Sequence, residues 1–223
     1  MDSLIDFHMH TFFSDGELLP SELHRRAVAA GYTALAMCDH ADDSNITTLL
    51  AHYGLFIKAL DRSADKHIIV LPGVELTHVL PCLIASNVEL SRSSGAKIVG
   101  CHGETIVEPV AAGTNRAAIE AGVDFLAHPG LISEDDVRLA AQKGVYLELT
   151  TRRGHSLTNG HVARLAKKYG AKLIVNTDTH SPDNLLSREI RKKIILGAGL
   201  ELQDVDIIIA NSEELLKKAI ERS

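Results

Sequence analysis

Short apolar runs alternate along the chain with longer stretches whose apolar residues recur every three or four positions. The runs at 4–7, 34–37, 68–74, 97–101, 124–127, 145–149 and 172–176 have the length and composition of buried strands. The stretches between them carry helix signals: Pro20 opens 21–30, Ser133 precedes the acidic first turn of 134–143, and Gly31, Gly144 and Gly170 stand at C-cap positions. Helices are also predicted at 46–63, 158–169 and 185–196. After the seventh run the pattern predicts a further short strand at 206–210, then a last helix at 213–221, capped by Ser212 and turning Leu215 and Leu216 inward. Strand and helix in succession mean βα units and a parallel sheet.

No linker, low-complexity stretch or internal repeat divides 1–223, so a single domain is expected. Parallel strands can form an open doubly wound sheet or a closed barrel, and the two gather functional residues differently. Here the residues that follow the strands decide. His8 and His10 follow the first run, Asp39 and His40 the second, Glu75 the third, His102 the fourth, His128 the fifth, and Asp178 and His180 the seventh. A closed barrel brings all of these to one mouth without any proximity in sequence.

Composition narrows the chemistry. With 45% hydrophobic and 23% charged residues the chain reads as globular, and nothing approaches the ~18 consecutive apolar residues of a membrane span. No basic and apolar leader opens it, so a cytoplasmic protein is expected. Cys38, Cys82 and Cys101 lack CxxC spacing, which argues against a thiolate zinc site or a disulfide framework, and they read as small buried hydrophobes. A net charge of -6, no Trp and 4% aromatics disfavour a stable nucleic-acid complex and favour a small ligand. Oligomeric state stays open, a homo-oligomer being compatible with everything here.

The residue pair His8 and His10 is the first sign of a metal. Side chains alternate across a strand, so both histidines project to one side and reach one cation, although two exposed histidines would explain an isolated pair equally well. His24, His52, His67 and His161 lie in or beside predicted amphipathic helices and read as solvated or half-buried. His78, on a loop after Glu75, reads as an ordinary loop residue near the mouth.

Taken together, His8–Met9–His10–Thr11, Asp39–His40, Glu75, His102, His128 within Ala–His–Pro–Gly, and Asp178–Thr179–His180 resemble the motifs of the polymerase and histidinol phosphatase (PHP) family of metal-dependent phosphoesterases. The resemblance covers nearly the whole chain, and Asp15 falls where the family places an Asp or His ligand. It implies an α/β fold, a distorted (βα)7 TIM-like barrel, holding up to three divalent ions. By the same resemblance His8, His10, Glu75 and Asp178 surround one ion, Glu75, His102 and His128 a second, and Asp15, His40 and His180 a third. Imidazole and carboxylate without thiolate independently suit zinc, manganese or iron.

At the one strand end that lacks a ligand stand Glu148, Thr150, Arg152, Arg153 and His155. The planar guanidinium forks of Arg152 and Arg153, with His155, are candidates for gripping a phosphate, and His155 and Arg153 for assisting the leaving oxygen. Surface charge explains one or both of Arg152 and Arg153 as well, and Arg116, at a helix start after Gly113, is a weaker candidate of the same kind. Neither a GxSxG elbow nor a P-loop occurs, so water is the expected nucleophile.

The expected activity is therefore hydrolysis of a phosphate monoester of a small metabolite, histidinol phosphate being the substrate the resemblance first suggests. The same ligand set serves a nucleotide phosphatase or a 3'-5' exonuclease. An amidohydrolase also uses HxH on its first strand, but Lys97 lies at the start of its strand instead of the end where a bridging Lys is needed. A metal-stabilised accessory module without turnover is the non-enzymatic alternative.

Overall fold

The computed structural model describes residues 3–62 and 68–222. Eight parallel strands occur among them: β1 (Ile5–Met9), β2 (Ala34–Met37), β3 (His40–Ala41), β4 (Ile69–Leu76), β5 (Ile98–His102), β6 (Phe125–Ala127), β7 (Tyr146–Thr150) and β8 (Leu173–Asn176). They lie in the order β1-β2-β4-β5-β6-β7-β8, and β3 pairs with β4 just beyond the end of β2. The ring closes between β8 and β1, where His10 N donates to Thr179 O at 2.8 Å and Thr179 N to His8 O at 3.3 Å. The result is a nearly closed TIM-like barrel of seven staves, the seventh gap bridged by loop backbone.

Helices α1 (Pro20–Ala30), α2 (Ile46–Asp61), α3 (Ile84–Ser93), α4 (Thr114–Ala121), α5 (Glu134–Lys143), α6 (Asn159–Tyr169), α7 (Arg188–Gly197) and α8 (Leu202–Glu221) follow the strands. Gly31, Gly144 and Gly170 end α1, α5 and α6 in the left-handed conformation that favours glycine, and Ser133 caps α5 by accepting from Asp136 N. The predicted end of α2 at Ser63, like His67, lies outside the described residues. Helix α3 has no counterpart in the sequence reading.

One predicted element is corrected. Residues 206–210 are helical, inside α8, and Ser212 is an interior helix residue instead of a cap. Three consecutive isoleucines mimic a strand, yet Ile208, Asn211, Ser212, Leu215 and Ala219 are buried at helical spacing, and Glu201 and Asp204 form a capping box at the true start. Cys82 is a second correction: it is exposed, while Cys38 and Cys101 are buried as expected.

Two apolar layers hold the barrel. The outer one lies between strands and helices, and the inner one joins Ile5, Phe7, Leu71, Ile98, Phe125, Tyr146 and Ile174 with Leu215 and Ala219 of α8, which plugs the amino end. The inner layer is tight. A Cβ on Gly100 would lie 2.4 Å from Phe125 Cζ, so only glycine lets that ring cross the barrel. With one end filled, the polar inward positions crowd at the carboxyl end. A register shift between Asp6 and Met9 breaks the alternation of β1, so that Phe7 joins the inner layer while His8 reaches the polar mouth immediately above it. Among the described residues no helix is long and apolar enough to cross a membrane.

Candidate metal centre

Strands β1, β4, β5, β6, β7 and β8 each place a buried polar side chain at or just past the carboxyl end. His8, His10, Glu75, His102, His128, Glu148, Asp178 and His180 are all at least 90% buried, an arrangement that water cannot neutralise. His8 Nε2 stands 3.3 Å from Glu75 Oε1 and 3.5 Å from Asp178 Oδ1, and His10 Nε2 stands 3.2 Å from the same Asp178 oxygen. His128 Nε2 lies 3.6 Å from both Glu75 Oε1 and Asp178 Oδ2. On the other side, Asp15 meets His40 Nε2 at 3.5 Å and His180 Nε2 at 3.1 Å. The structure thus brings together all nine residues read as ligands, in three overlapping groups: His8–His10–Glu75 with Asp178, Glu75–His102–His128, and Asp15–His40–His180 with His10.

Hydrogen bonds fix which imidazole atoms are free. His8 Nδ1 lies 2.8 Å from Glu148 Oε2 and His180 Nδ1 lies 2.8 Å from the Asp178 carbonyl; both oxygens only accept, so both ring protons sit on Nδ1. The Nε2 lone pairs are left aimed at carboxylate oxygens, a contact that is attractive only with a proton or a cation in between. His8 Nε2, His10 Nε2 and Glu75 Oε1 are buried with no hydrogen-bond partner at all. Donor type, spacing and orphaned lone pairs all fit divalent ions.

The titration behaviour of the cluster follows from the same crowding. Burial opposes charge on His8, but Glu75, Asp178 and Glu148 outweigh it and push the imidazole well above its ordinary value. Burial likewise opposes charge on His40, and Asp15 and Glu75 beside it raise it to about 10. His10 and His128, facing other histidines, yield to burial, His10 falling to about 4 and His128 well below its usual range. Burial works against ionised Glu75 and Asp178, and His8 foremost among their neighbours holds both well below the usual carboxylate range. In the absence of a cation, protons on His8 and His40 therefore hold these carboxylates together.

Three non-glycine residues have left-handed backbone, and all three belong here: His78 (φ 54), His128 (φ 26) and Asp178 (φ 53). Each such residue costs about 1–3 kcal/mol, and strain of this kind persists where surrounding structure enforces it.

Some residues support the centre without forming it. Asp39 is fully buried, and its carboxylate accepts from Thr11 N at 2.8 Å, Thr11 Oγ1 at 2.6 Å, Ser14 N at 3.1 Å, the Ser14 hydroxyl and the Tyr53 hydroxyl. It pins the loop that carries Asp15. Glu148 accepts from His8 Nδ1, from Asn176 Nδ2 at 2.9 Å and from His128 N at 3.2 Å, so it orients two residues of the cluster at once. In the sequence Glu148 stands at a strand end with no role assigned; its signal is a carboxylate inside the apolar run of β7, as Glu75 is inside β4.

The phosphate candidates separate. His155 is buried, stacks on His128 at 4.2 Å and bonds Thr105 Oγ1 through Nδ1 at 2.7 Å. Arg152 and Arg153 line an adjoining cavity of about 620 Å³ with Thr151, Gly154, Thr177 and Asn184, and among the described residues no carboxylate pairs with either guanidinium. Arg116 is not brought to the cluster: it is exposed and pairs with Asp136 at 2.7 Å and Glu120 at 3.4 Å.

Fold and cluster together define a TIM-like barrel with a histidine–carboxylate centre suited to divalent ions. The chain belongs to the family of the uncharacterized protein MJ1295 of Methanocaldococcus jannaschii, to which it is 45% identical over 215 residues, covering 96% of this chain and 98% of the relative. No family model matches. In three dimensions the chain is similar to a chain of archaeal ribonuclease P solved with mature tRNA (TM-score 0.74, 18% identity, 98% of this chain and 93% of that one). It is also similar to the histidinol phosphate phosphatase of Lactococcus lactis solved with zinc, L-histidinol and phosphate (TM-score 0.62, 16% identity, 89% and 95%). An amidohydrolase barrel matches at TM-score 0.63 with 14% identity over 98% of this chain and 75% of that one. At these identities the likenesses concern the fold.

Proposed function

We propose that the protein is a metal-dependent phosphoesterase of the PHP type that hydrolyses a phosphate monoester of a small metabolite. The observation that carries this reading is the set of imidazole lone pairs fixed by Glu148 and by the Asp178 carbonyl and aimed at Glu75, Asp178 and Asp15. His8, His10, Glu75 and Asp178 would hold one ion, Glu75, His102 and His128 a second, and Asp15, His40 and His180 a third, of zinc, manganese or iron. When bound, such ions supply Lewis acidity toward phosphoryl oxygens and lower the pKa of water toward ~7.

The chain's own groups do the rest. Glu148 and Asp39 hold the ligands in place, and the barrel floor of Phe7, Ile98 and Phe125 excludes water from below. His155, stacked on His128, would give a proton to a departing oxygen. Arg152 and Arg153 receive the part of the substrate that extends beyond the centre.

That cavity favours an anionic extension, which supports a second reading, a nucleotide phosphatase or 3'-5' exonuclease, over histidinol phosphate, whose part beyond the phosphate carries an ammonium. A soluble small ligand is favoured over a stable nucleic-acid complex by the net charge of -6. The amidohydrolase reading gains no support from Lys97, which precedes β5 and bonds the Arg222 carbonyl oxygen at the amino end.

The deciding experiment is metal analysis of purified protein followed by phosphate release from histidinol phosphate, nucleotides and short single strands, with added zinc or manganese. Turnover of monoesters that Asp178→Asn abolishes supports the proposal. Turnover confined to single strands replaces it with the nuclease, and ion-loaded protein inert on all phosphoesters replaces it with the accessory module.

A further inference from the structure

We propose that Glu108, on the loop between β5 and α4, is an additional ligand of the ion that His102 holds, with His78 at the edge of the same position. His102 Nδ1 lies 3.1 Å from the carbonyl oxygen of Gly103, which only accepts, so the ring proton sits on Nδ1 and Nε2 presents its lone pair. That lone pair faces Glu108 Oε2 at 3.1 Å, and His78 Nε2 stands 3.3 Å from the same oxygen. Two acceptors this close repel unless a cation binds both. Roughly 3.3 Å is the separation of neighbouring ligands around a tetrahedral ion with bonds of about 2.0–2.1 Å, so the spacing is that of a coordination edge. The three residues offer ligand atoms within 4.8 Å of one another.

The loop is built to present this carboxylate. Its start is tied to the head of α4, where Glu104 Oε1 accepts from Gly113 N at 3.0 Å and Asn115 N at 2.9 Å while Asn115 Oδ1 accepts from Glu104 N at 2.9 Å. Thr105 bonds His155 Nδ1, and His155 Nε2 stands 3.3 Å from Glu108 Oε1, so the second carboxylate oxygen is held while the first faces His102. This is how carboxylate ligands are steadied by partners behind them. His78 reaches the position from a left-handed backbone (φ 54). Glu108 is partly exposed while His102 is buried, so an ion held by both would keep this carboxylate on its solvent side.

The inference rests on the metal-centre reading above and adds to it a ligand that no strand end supplies. The test uses the full chain and the variants Glu108→Gln and Glu108→Ala, stripped of ions and reloaded with Co2+ or Zn2+. Affinities are read by competition with a chromophoric chelator, coordination by the visible absorption of Co2+. The expected result is one ion bound about tenfold or more weakly, with an altered Co2+ band and the other ions unchanged. His102→Ala should affect that same ion more strongly. Competition curves and spectra that superimpose on those of the parent overturn the inference, and so does equal weakening of all ions with a lowered melting temperature, which would make Glu108 a support of the fold. Ion binding is the readout, so an absence of phosphoester turnover would strike the proposed function alone, whereas a parent chain that takes up no ion would overturn both.

Discussion

Replacing Glu148 by glutamine tests how the centre is held. Three donors converge on this carboxylate: His8 Nδ1–H at 2.8 Å and Asn176 Nδ2–H at 2.9 Å on Oε2, and His128 N–H at 3.2 Å on Oε1. Glutamine offers one acceptor and one donor in the same volume. If its oxygen keeps His8 and Asn176, its NH2 confronts the His128 amide, and a buried donor left unmatched costs about 1–3 kcal/mol. Reversing the amide releases His8 instead, freeing the tautomer that keeps Nε2 open. Loss of such a supporting partner lowers metal affinity about 10–100-fold, or roughly 1.4–2.7 kcal/mol. Two measurements are needed: thermal melting of ion-free protein, expected to fall by roughly 2–4 °C per kcal/mol in a chain of this size, and chelator competition on the loaded protein. A lower melting temperature with metal affinity at the parental value would refute the reasoning, since Glu148 would then brace the barrel without orienting His8.

Asp39→Asn should loosen the Thr11–Ser14 loop and with it Asp15, lowering the number of ions bound by one and costing about 2–3 kcal/mol in denaturant unfolding of the ion-free protein; an ion count equal to the parent's on elemental analysis would contradict this. Gly100→Ala should destabilise the barrel by about 1–3 kcal/mol through collision with Phe125, and an unchanged denaturation midpoint would show that the ring can yield. His40, raised to about 10, is protonated at pH 7 in the ion-free protein, so binding must expel a proton and affinity should climb by about tenfold per pH unit per proton as pH rises toward 10. Titration calorimetry in buffers of different ionisation heat reads that proton directly, and a buffer-independent heat at pH 7 would contradict it. Arg153→Ala should raise KM for anionic phosphoesters by the equivalent of about 1.5–3 kcal/mol with little change in ion content, and an unchanged KM would place the guanidinium outside the substrate's reach.

What the sequence revealed and what it concealed divide along a physical line. The convergence of residues on strands or just beyond them was legible because strand period and barrel closure fix their positions: His8, Glu75 and His102 sit inside β1, β4 and β5, and Asp178 and His180 follow β8 directly. Residues whose place depends on one loop leaning on another were not. Nothing in the spacing of Glu108 tells that its loop is tied to Asn115 and His155, nor that Arg152 and Arg153 turn into a cavity while His155, two residues on, enters the cluster. The error at 206–210 has the same root. Local apolar density there suits a strand, and only the docking of α8 across the amino end, with Asn211 bonded to the Leu173 carbonyl at 2.9 Å, settles it as helix.

Charge explains why these residues belong together. Asp39, Glu75, Glu148 and Asp178 are buried at one end of the barrel, and among the described residues none of them pairs with Lys or Arg. Burying carboxylates without cations is costly; hydrogen bonds from Thr11, Ser14 and Tyr53 meet that cost for Asp39, and those from His8, Asn176 and the His128 amide meet it for Glu148. For Glu75 and Asp178 the facing groups are histidines, two of which, His10 and His128, are driven toward neutrality by burial. An ion-free centre must therefore draw protons onto His8 and His40 to remain assembled, and the raised values of both follow from that demand. Divalent ions supply the same charge while using the lone pairs those protons occupy. A barrel with this mouth is stabilised by the ions it would use, so their removal by a chelator should lower its melting temperature, and most steeply above the pH at which His40 loses its proton.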